Sequence, residues 1–425
     1  MDKKFFLIII SLAFFVNLNS QNKEYARSIL DTLCAPYFDG RGYYNKGEKR
    51  AAEFIASEFK KFGLKSVNDS YFQYFNLSVN SIVGSTKLVI DKQKLKAGKD
   101  FLINPTSPSF KGKSKLFYLS KEQLVDIEEF KNIVPLLRNN FVVLDKSLIK
   151  EESRETKGLV YELVQFLKFS EDVELNGVIE LEEKLTYTAS QQKALRPHLV
   201  VLKEKFCSPN KISLEIESEF NPNYQSQNVI GYIEGKEKEK FIYVVGHYDH
   251  LGRMGKDVYF PGANDNASGI AMLMSLAKEF AAGEKPKKSI VFICFGSEEI
   301  GLVGSKFYTE NPLLPIESID FLINLDILGT GDDGIQVVNG SVFKEEFEEL
   351  VGLNESKSLL KQVKIRGAAC NSDHCFFAEK GVPSFFIYTL GGIAHYHNIY
   401  DKSETLPLTE YEDLFVLLKE FIEKQ

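Results

Sequence analysis

From about residue 225 onward, apolar strands alternate with helices, and this alternation constrains the fold more than any other feature of the chain. The strands are predicted at Phe241–Val245, Ser289–Phe295, Phe321–Leu325 and Ser384–Tyr388, and the helices at Ala267–Ala282, Val342–Leu350, Asp373–Lys380 and Glu410–Glu423. Apolar strands joined through helices form mainly parallel sheets that are covered on both faces. The sequence therefore predicts an α/β fold, with a mainly parallel or mixed sheet sandwiched by helices. Ligands of such folds bind at the carboxyl ends of the strands.

The first half of the chain has a different character. Helical periodicity is clearest in Glu48–Phe62, and Gly63 is typical of a helix end. From about residue 79 to 224, short β runs dominate, with one helix predicted around Leu159–Leu167. We therefore expect a β-rich domain at 79–224, inserted into an α/β domain formed by residues 21–78 and 225–425.

The N-terminal residues resemble a targeting segment rather than part of the fold. Lys3 and Lys4 precede an apolar run from Phe5 to Val16, which is too short to cross a bilayer and is typical of a signal peptide. We expect residues 1–20 to be that signal peptide. The mature chain is then expected to be exported, periplasmic or secreted, and without a transmembrane segment.

Charge and cysteine content exclude other classes. The 52 Lys and Arg against 59 Asp and Glu give a net charge of -7, so the chain has no basic footprint for nucleic acid. Its five cysteines form neither a disulfide framework nor a CxxC metal pattern. Cys370 and Cys375 are close enough in sequence to pair in an oxidising compartment.

Histidine and carboxylate residues cluster around the predicted strand ends. Five of the six histidines lie beyond residue 245, and the segments that carry chemistry are 246–250, 262–269, 296–299, Asp326 and 395–401. Imidazole and carboxylate are the ligands that Zn²⁺ prefers in catalytic sites. Two histidines and three carboxylates can hold two metals if one carboxylate bridges them. Any one of these residues alone is more often a loop or capping residue, so the prediction depends on the set.

Two details of the set bear on mechanism. Adjacent Glu298 and Glu299 cannot point the same way from an extended segment, but a turn could direct one to a metal and the other to a substrate water. Asp249, two residues after His247, suits a partner that orients the imidazole.

These segments, in this order, resemble peptidase family M28, a family of zinc metallopeptidases. The resemblance lies in His-Tyr-Asp at 247–249, Gly-Ala-Asn-Asp-Asn-Ala-Ser-Gly at 262–269, Glu-Glu-Ile-Gly-Leu-Val-Gly-Ser at 298–305, Asn-Leu-Asp at 324–326 and His-Asn-Ile-Tyr-Asp at 397–401. Asp-Gly-Arg-Gly at 39–42 and Ser-Asp-His at 372–374 also resemble that family. The resemblance covers roughly residues 27–78 and 225–425.

The resemblance implies a role for each residue. Asp265 would bridge two zinc ions, with His247 and Asp326 on one and Glu299 and His397 on the other. Glu298 would be the general base, and Asp249 the partner of His247. His397 fits the family's His-x-x-x-Asp spacing with Asp401, and His395 is the alternative ligand. A cis peptide is expected after the bridging residue, at Asp265–Asn266. His250 and His374 have no ligand role in the pattern.

The resemblance also implies an activity, hydrolysis of peptide bonds, most often from a free N-terminus. Carboxypeptidases and glutaminyl cyclases of the same family are alternatives, although the absence of Trp argues against the cyclases, whose pockets use it. A binding scaffold that has lost its ligands is a further alternative, but the complete ligand set argues against it. Residues 79–224 loosely resemble a protease-associated (PA) domain, which would wall the cleft or restrict which peptides enter. The oligomeric state is not readable from the sequence.

Overall fold

The computed structural model describes residues 22–425, so the predicted signal peptide at 1–20 lies outside the described residues. The helices are α1 (22–33), α2 (Gly47–Phe62), α3 (Lys121–Val125), α4 (Ile127–Ile133), α5 (Arg154–Phe169), α6 (Gly269–Ala282), α7 (Val303–Glu310), α8 (Lys344–Lys357), α9 (Cys375–Glu379) and α10 (Tyr411–Lys424). The strands are β1 (Phe72–Ile90), β2 (Gln93–Leu95), β3 (Phe101–Ile103), β4 (Phe110–Tyr118), β5 (Asn140–Asp145), β6 (Gly177–Glu182), β7 (His198–Leu202), β8 (Lys211–Ile233), β9 (Glu237–His247), β10 (Arg253–Met254), β11 (Val258–Tyr259), β12 (Lys288–Phe295), β13 (Ile319–Leu325), β14 (Ile335–Val338), β15 (Val363–Ile365) and β16 (Ser384–Thr389).

One mixed sheet of 14 strands runs through the described residues, in the order β15-β14-β16-β13-β9-β12-β8-β4-β5-β6-β7-β3, with β1 paired to β8 and β2. Its centre is parallel, because β9 pairs in parallel with β12 and β13, and β13 with β16. β8 joins β12 in antiparallel orientation. The carboxyl ends of β9, β12, β13 and β16 therefore lie at one edge of the sheet.

The long antiparallel strands β1 and β8 connect the two predicted domains. Their pairing extends from Phe72 opposite Val229 to Ile90 opposite Ile212, and it passes through the predicted boundaries at residues 78 and 224. The sheet of the α/β part therefore continues into the β-rich part, with no linker between them.

Helices cover both faces of the parallel strands. On one face, α2, α6 and α10 pack together, and Phe59, Leu273 and Leu418 are fully buried in one cluster. On the other face, Tyr308 of α7 and Phe377 of α9 pack on strand residues in a second buried cluster. This double covering explains why the central strands are apolar on both faces.

The structure differs from the sequence expectation in two short helices. Helices α3 and α4 lie in a region predicted to be mostly β; they are five and seven residues long, too short for a clear 3.6-residue period, and begin at the capping residues Ser120 and Asp126. Cys370 and Cys375 form a disulfide.

Among residues 22–425, no helix combines the length and the apolar character that a membrane crossing requires.

Candidate metal centre

The five predicted metal ligands come together at the carboxyl edge of the parallel strands. His247 is the last residue of β9, Asp326 directly follows β13, and Glu299 lies four residues beyond β12. Asp265 lies in the turn that leads into α6, and His397 lies in the loop after β16. All five side chains are at most 11% exposed. Strand direction thus places residues from distant parts of the chain in one buried cluster.

Asp265 lies between the two histidines and contacts each through a different oxygen. Its Oδ1 is 3.4 Å from Nε2 of His247, and its Oδ2 is 3.0 Å from Nε2 of His397. Asp326 Oδ1 is also 3.4 Å from His247 Nε2, and Glu299 Oε2 is 3.0 Å from His397 Nε2. The ligand atoms therefore form two groups that share Asp265. One group contains His247 and Asp326, and the other contains His397 and Glu299.

The charges of the cluster fit divalent cations. Besides Asp265, Glu299 and Asp326, the carboxylates of Asp249 and Asp373 are buried nearby and that of Glu298 is partly exposed, and no Lys or Arg within residues 22–425 pairs with any of the six. Burial and neighbouring carboxylates raise the pKa of Glu298 well above its usual value. Burial lowers the pKa of His397, but the neighbouring carboxylates of Glu299 and Asp265 outweigh burial and raise that pKa to about 11. Oδ1 of Asp326 is buried without a hydrogen-bond donor. Such an excess of buried negative charge requires compensation.

Glu298 lies at the edge of the His247 group, with a carboxylate oxygen within 4.8 Å of ligand atoms of His247 and Asp326. Its Oε2 is 3.9 Å from His247 Nε2, farther than the oxygens of Asp265 and Asp326. Its side chain is 14% exposed, whereas that of Glu299 is 3% exposed. A turn through Ser297, whose φ is 58°, separates the two side chains after β12. Glu298 is thus the most exposed carboxylate of the cluster. We call the side on which it reaches solvent the open side of the cluster.

Asp249 holds this turn. Its carboxylate accepts hydrogen bonds from the backbone N–H groups of Glu298 (3.0 Å) and Glu299 (3.2 Å) and from the hydroxyl of Tyr43 (2.8 Å). The Nδ1 atom of His247 lies 3.2 Å from the backbone carbonyl oxygen of Asp249 and 3.8 Å from its carboxylate. The contact that orients His247 therefore comes mainly from the backbone of Asp249, while its carboxylate positions the two glutamates.

The loop that carries Asp265 is fixed by Asp401. The Asp401 carboxylate accepts hydrogen bonds from the backbone N–H groups of Asn264 (2.8 Å) and Asp265 (3.1 Å). The expected cis peptide bond is present at Asp265–Asn266.

The remaining histidines also have defined places. The structure brings His397 to Asp265, whereas His395 is exposed and lies beside Tyr400. His250 Nδ1 is 2.5 Å from Glu299 Oε1, so it supports a predicted ligand. His374 Nε2 lies 2.8 Å from the backbone oxygen of Ala369.

Sequence reasoning missed the residue that holds His397. Tyr187 lies in the predicted inserted domain, and its carbonyl oxygen is 3.0 Å from Nδ1 of His397. Its backbone N–H donates to the carbonyl oxygen of His397 at 2.9 Å, and its ring stacks on Phe260 with centroids 4.4 Å apart. A proton on Nδ1 leaves Nε2 free to bind a metal. No periodicity or charge pattern around Tyr187 could have indicated this contact.

Arg41 of the Asp-Gly-Arg-Gly segment is a second residue without an assigned role. It is fully buried and donates to four backbone oxygens at 3.2 Å or less, those of Leu33, Tyr248, Pro261 and Gly262. Gly42 allows the close approach, since a Cβ atom there would come within 2.3 Å of the Gly252 Cα. Arg41 thus ties the N-terminal segment to the loops that carry the predicted ligands.

We expect Arg41→Met to lower the free energy of unfolding by at least about 2–3 kcal/mol, because it leaves several buried carbonyl groups without donors. Urea denaturation measures this loss. Arg138→Met is the matched control, since its side chain is 70% exposed and its loss should cost about 0.5 kcal/mol or less. Equal stability of both variants would contradict the role of Arg41.

Part of the chain matches known proteins. Residues 228–422 match the model of peptidase family M28. A probable zinc metalloprotease of Pyricularia oryzae is 38% identical over 112 residues, which are 25% of this chain and 22% of that protein. Aminopeptidase YwaD of Bacillus subtilis is 36% identical over 113 residues, 25% of this chain and 23% of that protein. The chain thus matches less than a quarter of the length of these curated relatives.

A solved structure extends the likeness to nearly the whole fold. The structure of BSAP, a zinc aminopeptidase from Bacillus subtilis, superimposes with a TM-score of 0.71, covers 94% of each chain and is 20% identical. At that identity the likeness shows the fold, and it confirms the predicted α/β class with a mixed sheet flanked by helices. The motif order, the family match and this fold together lead to one conclusion: residues 228–422 form a peptidase family M28 domain.

Proposed function

We propose that this protein is an exported zinc-dependent aminopeptidase that holds two zinc ions per chain. The observation that carries the proposal is Asp265, whose two carboxylate oxygens face His247 and His397 separately, at 3.4 and 3.0 Å. The aminopeptidase and zinc metalloprotease names of the relatives support the same reading.

The donor set suits zinc. His247 and Asp326 would hold one ion, His397 and Glu299 the other, and Asp265 would bind both. Zinc at such a site lowers the pKa of water and polarises a carbonyl group. The protein's own contribution is to keep each ligand in its orientation, through Ser372, which donates to Asp326 at 3.1 Å, and through His250 on Glu299.

Glu298 would move the proton. Its Oε2 faces the open side of the cluster and can accept a proton from the attacking water. The same carboxyl can then donate that proton to the nitrogen of the leaving amine.

The β-rich region at 79–224 would take part in the site rather than form an appendage. Tyr187, from that region, is the hydrogen-bond partner of His397, as described above. Gln191 donates from its side chain to the carbonyl oxygen of Ile300, one residue beyond Glu299. We infer that the inserted region positions both ligands of the second zinc and walls that side of the cleft.

The disulfide agrees with export. Disulfides persist in oxidising compartments, and Cys370–Cys375 encloses Ser372, which contacts Asp326. A periplasmic or secreted location is therefore part of the proposal.

A mixed pool of free and N-acetylated peptides, read by mass spectrometry, tests the activity. We expect the purified protein to remove single N-terminal residues from the free peptides only. Treatment with EDTA should lower the rate by more than about 100-fold, because both polarisation of the carbonyl and acidification of water depend on the metal. Added zinc should restore the rate.

Other outcomes would replace this proposal. Loss of C-terminal residues would indicate a carboxypeptidase, and loss of ammonia from peptides that begin with Gln would indicate a glutaminyl cyclase. An unchanged pool with zinc-loaded protein would favour a binding scaffold.

A further inference from the structure

Two adjoining cavities lie in the β-rich region, away from the predicted ligands. Their volumes are about 670 and 540 Å³, which is within the range of small-molecule sites. They share a wall that includes Lys146, Lys157, Glu180 and His198, and α5 covers one side of the larger cavity. Thr186 and Thr188 line the cavities on either side of Tyr187, so the cavity wall also includes the segment that holds His397.

The lining of the cavities carries an excess of positive charge. Six lysines face three glutamates there: Lys146, Lys150, Lys157, Lys168, Lys184 and Lys203 against Glu180, Glu182 and Glu183. Lys146 pairs with Glu180 and Glu182, and Lys150 pairs with Glu183. The three glutamates are thus already engaged, and Lys203 pairs with Asp145. Within residues 22–425, Lys157, Lys168 and Lys184 have no ion pair and remain to bind an anion, although Lys157 also donates to the carbonyl oxygen of Lys150.

Lys168 is the most unusual of these lysines. It lies on α5 and is 4% exposed, yet within residues 22–425 its ammonium group has no ion pair and no hydrogen bond, and its one recorded partner is the ring of Phe169, whose centroid is 5.2 Å away. Burial lowers its pKa, which reflects the cost of placing this charge away from water. An oxyanion in the cavity would offset that cost.

His198 adds a second unsatisfied group. It is 2% exposed, and its Nδ1 is buried without a hydrogen-bond partner. Its Nε2 lies 2.6 Å from Glu180 Oε1, although the two are not aligned for a linear hydrogen bond. Burial lowers the pKa of His198, which favours the neutral ring, and the adjacent Glu180 carboxylate favours the proton on Nε2. Nδ1 is then an acceptor that lacks a donor.

We propose that the paired cavities bind a small hydroxylated oxyanion, whose carboxylate or phosphate group pairs with Lys168 and Lys157 and whose hydroxyl group donates to Nδ1 of His198. The positive lining attracts the anion. The ammonium group of Lys168 and the Nδ1 atom of His198, which have no hydrogen-bond partner within residues 22–425, specify the two contacts. The neutral surroundings of α5, including Val160 and Val164, enclose the carbon skeleton of the ligand.

Calorimetric titration of the metal-loaded protein at pH 7 tests the proposal, with four probes. L-malate and glycerol 3-phosphate each combine an oxyanion with a hydroxyl group, and their relative affinities distinguish carboxylate from phosphate. Succinate lacks the hydroxyl group, and malamide lacks the charge. We expect at least one of the first two to bind in the millimolar range or tighter. Succinate should bind about fivefold more weakly than malate if malate binds, and malamide should not bind.

Variants separate this site from the metal centre, which also attracts anions. Lys168→Gln should raise the Kd about tenfold or more, and Lys157→Gln should raise it independently, so the test survives if one variant fails to fold. Lys94→Gln makes the same charge change at an exposed position of the β-rich region outside both cavities and should leave the Kd unchanged. No binding of malate or glycerol 3-phosphate to the wild type at about 10 mM would overturn the proposal. Wild-type affinity in both cavity variants would do the same, since it would place the anion at the metal centre.

Discussion

Glu298→Ala is expected to lower kcat by about 10²–10⁴-fold, while the zinc content of the purified protein stays unchanged. The carboxylate is the group that can accept the proton of the attacking water, and no other carboxylate of the cluster has the same exposure to the open side. Because its oxygen lies farther from His247 than those of Asp265 and Asp326, its loss should not remove a ligand. Steady-state kinetics on a free peptide and elemental analysis of zinc measure the two effects separately.

Two further variants define the result. Glu298→Gln keeps the shape of the side chain without its basicity and should be nearly as inactive as the alanine variant. Glu310→Ala removes an exposed carboxylate at the end of α7 and should leave both quantities unchanged. Full activity of zinc-loaded Glu298→Ala would disprove the proposed base, and a loss of zinc would make Glu298 a ligand instead.

The sequence predicts which of these side chains lie together because their placement depends on strand direction. Apolar runs that end in His247, Asp326 or the Glu298–Glu299 pair indicate where the carboxyl ends of β9, β13 and β12 lie. Parallel strands bring such ends together whatever the sequence between them. The positions of these segments at strand ends therefore predict most of the arrangement of the side chains.

Contacts that depend on tertiary packing are not predictable in this way. Tyr187 holds His397 through backbone atoms, so the identity of its side chain carries no signal. The length of β8 was also missed, because its middle, around Glu219–Asn223, is exposed, contains Pro222 and does not alternate as a half-buried strand does. The pairing of that exposed stretch with β1 becomes visible only once both strands are placed.

Asp265→Ala is expected to remove both zinc ions rather than one. The carboxylate is the only group shared by the two sets of ligands, with Oδ1 beside His247 and Oδ2 beside His397. Its loss leaves two ligands on each side, one fewer than the three protein ligands that catalytic zinc sites use. Zinc per chain after dialysis should therefore fall from about two to near zero, and activity should fall with it.

A variant of a ligand that would bind only one zinc ion is the comparison that makes this prediction decisive. Of the two predicted histidine ligands, Asp326 pairs with His247 alone, so Asp326→Ala should lose one zinc and retain the other. Asp257→Ala, at an exposed position near Asp265 in sequence, should retain both. If Asp265→Ala keeps one zinc, Asp265 is a terminal ligand and the two sets are independent. If it keeps both, Asp265 is not a ligand, and the contacts with His247 and His397 only orient the imidazoles. Loss of both ions in Asp265→Ala, beside loss of one in Asp326→Ala, is the outcome that only a shared carboxylate explains.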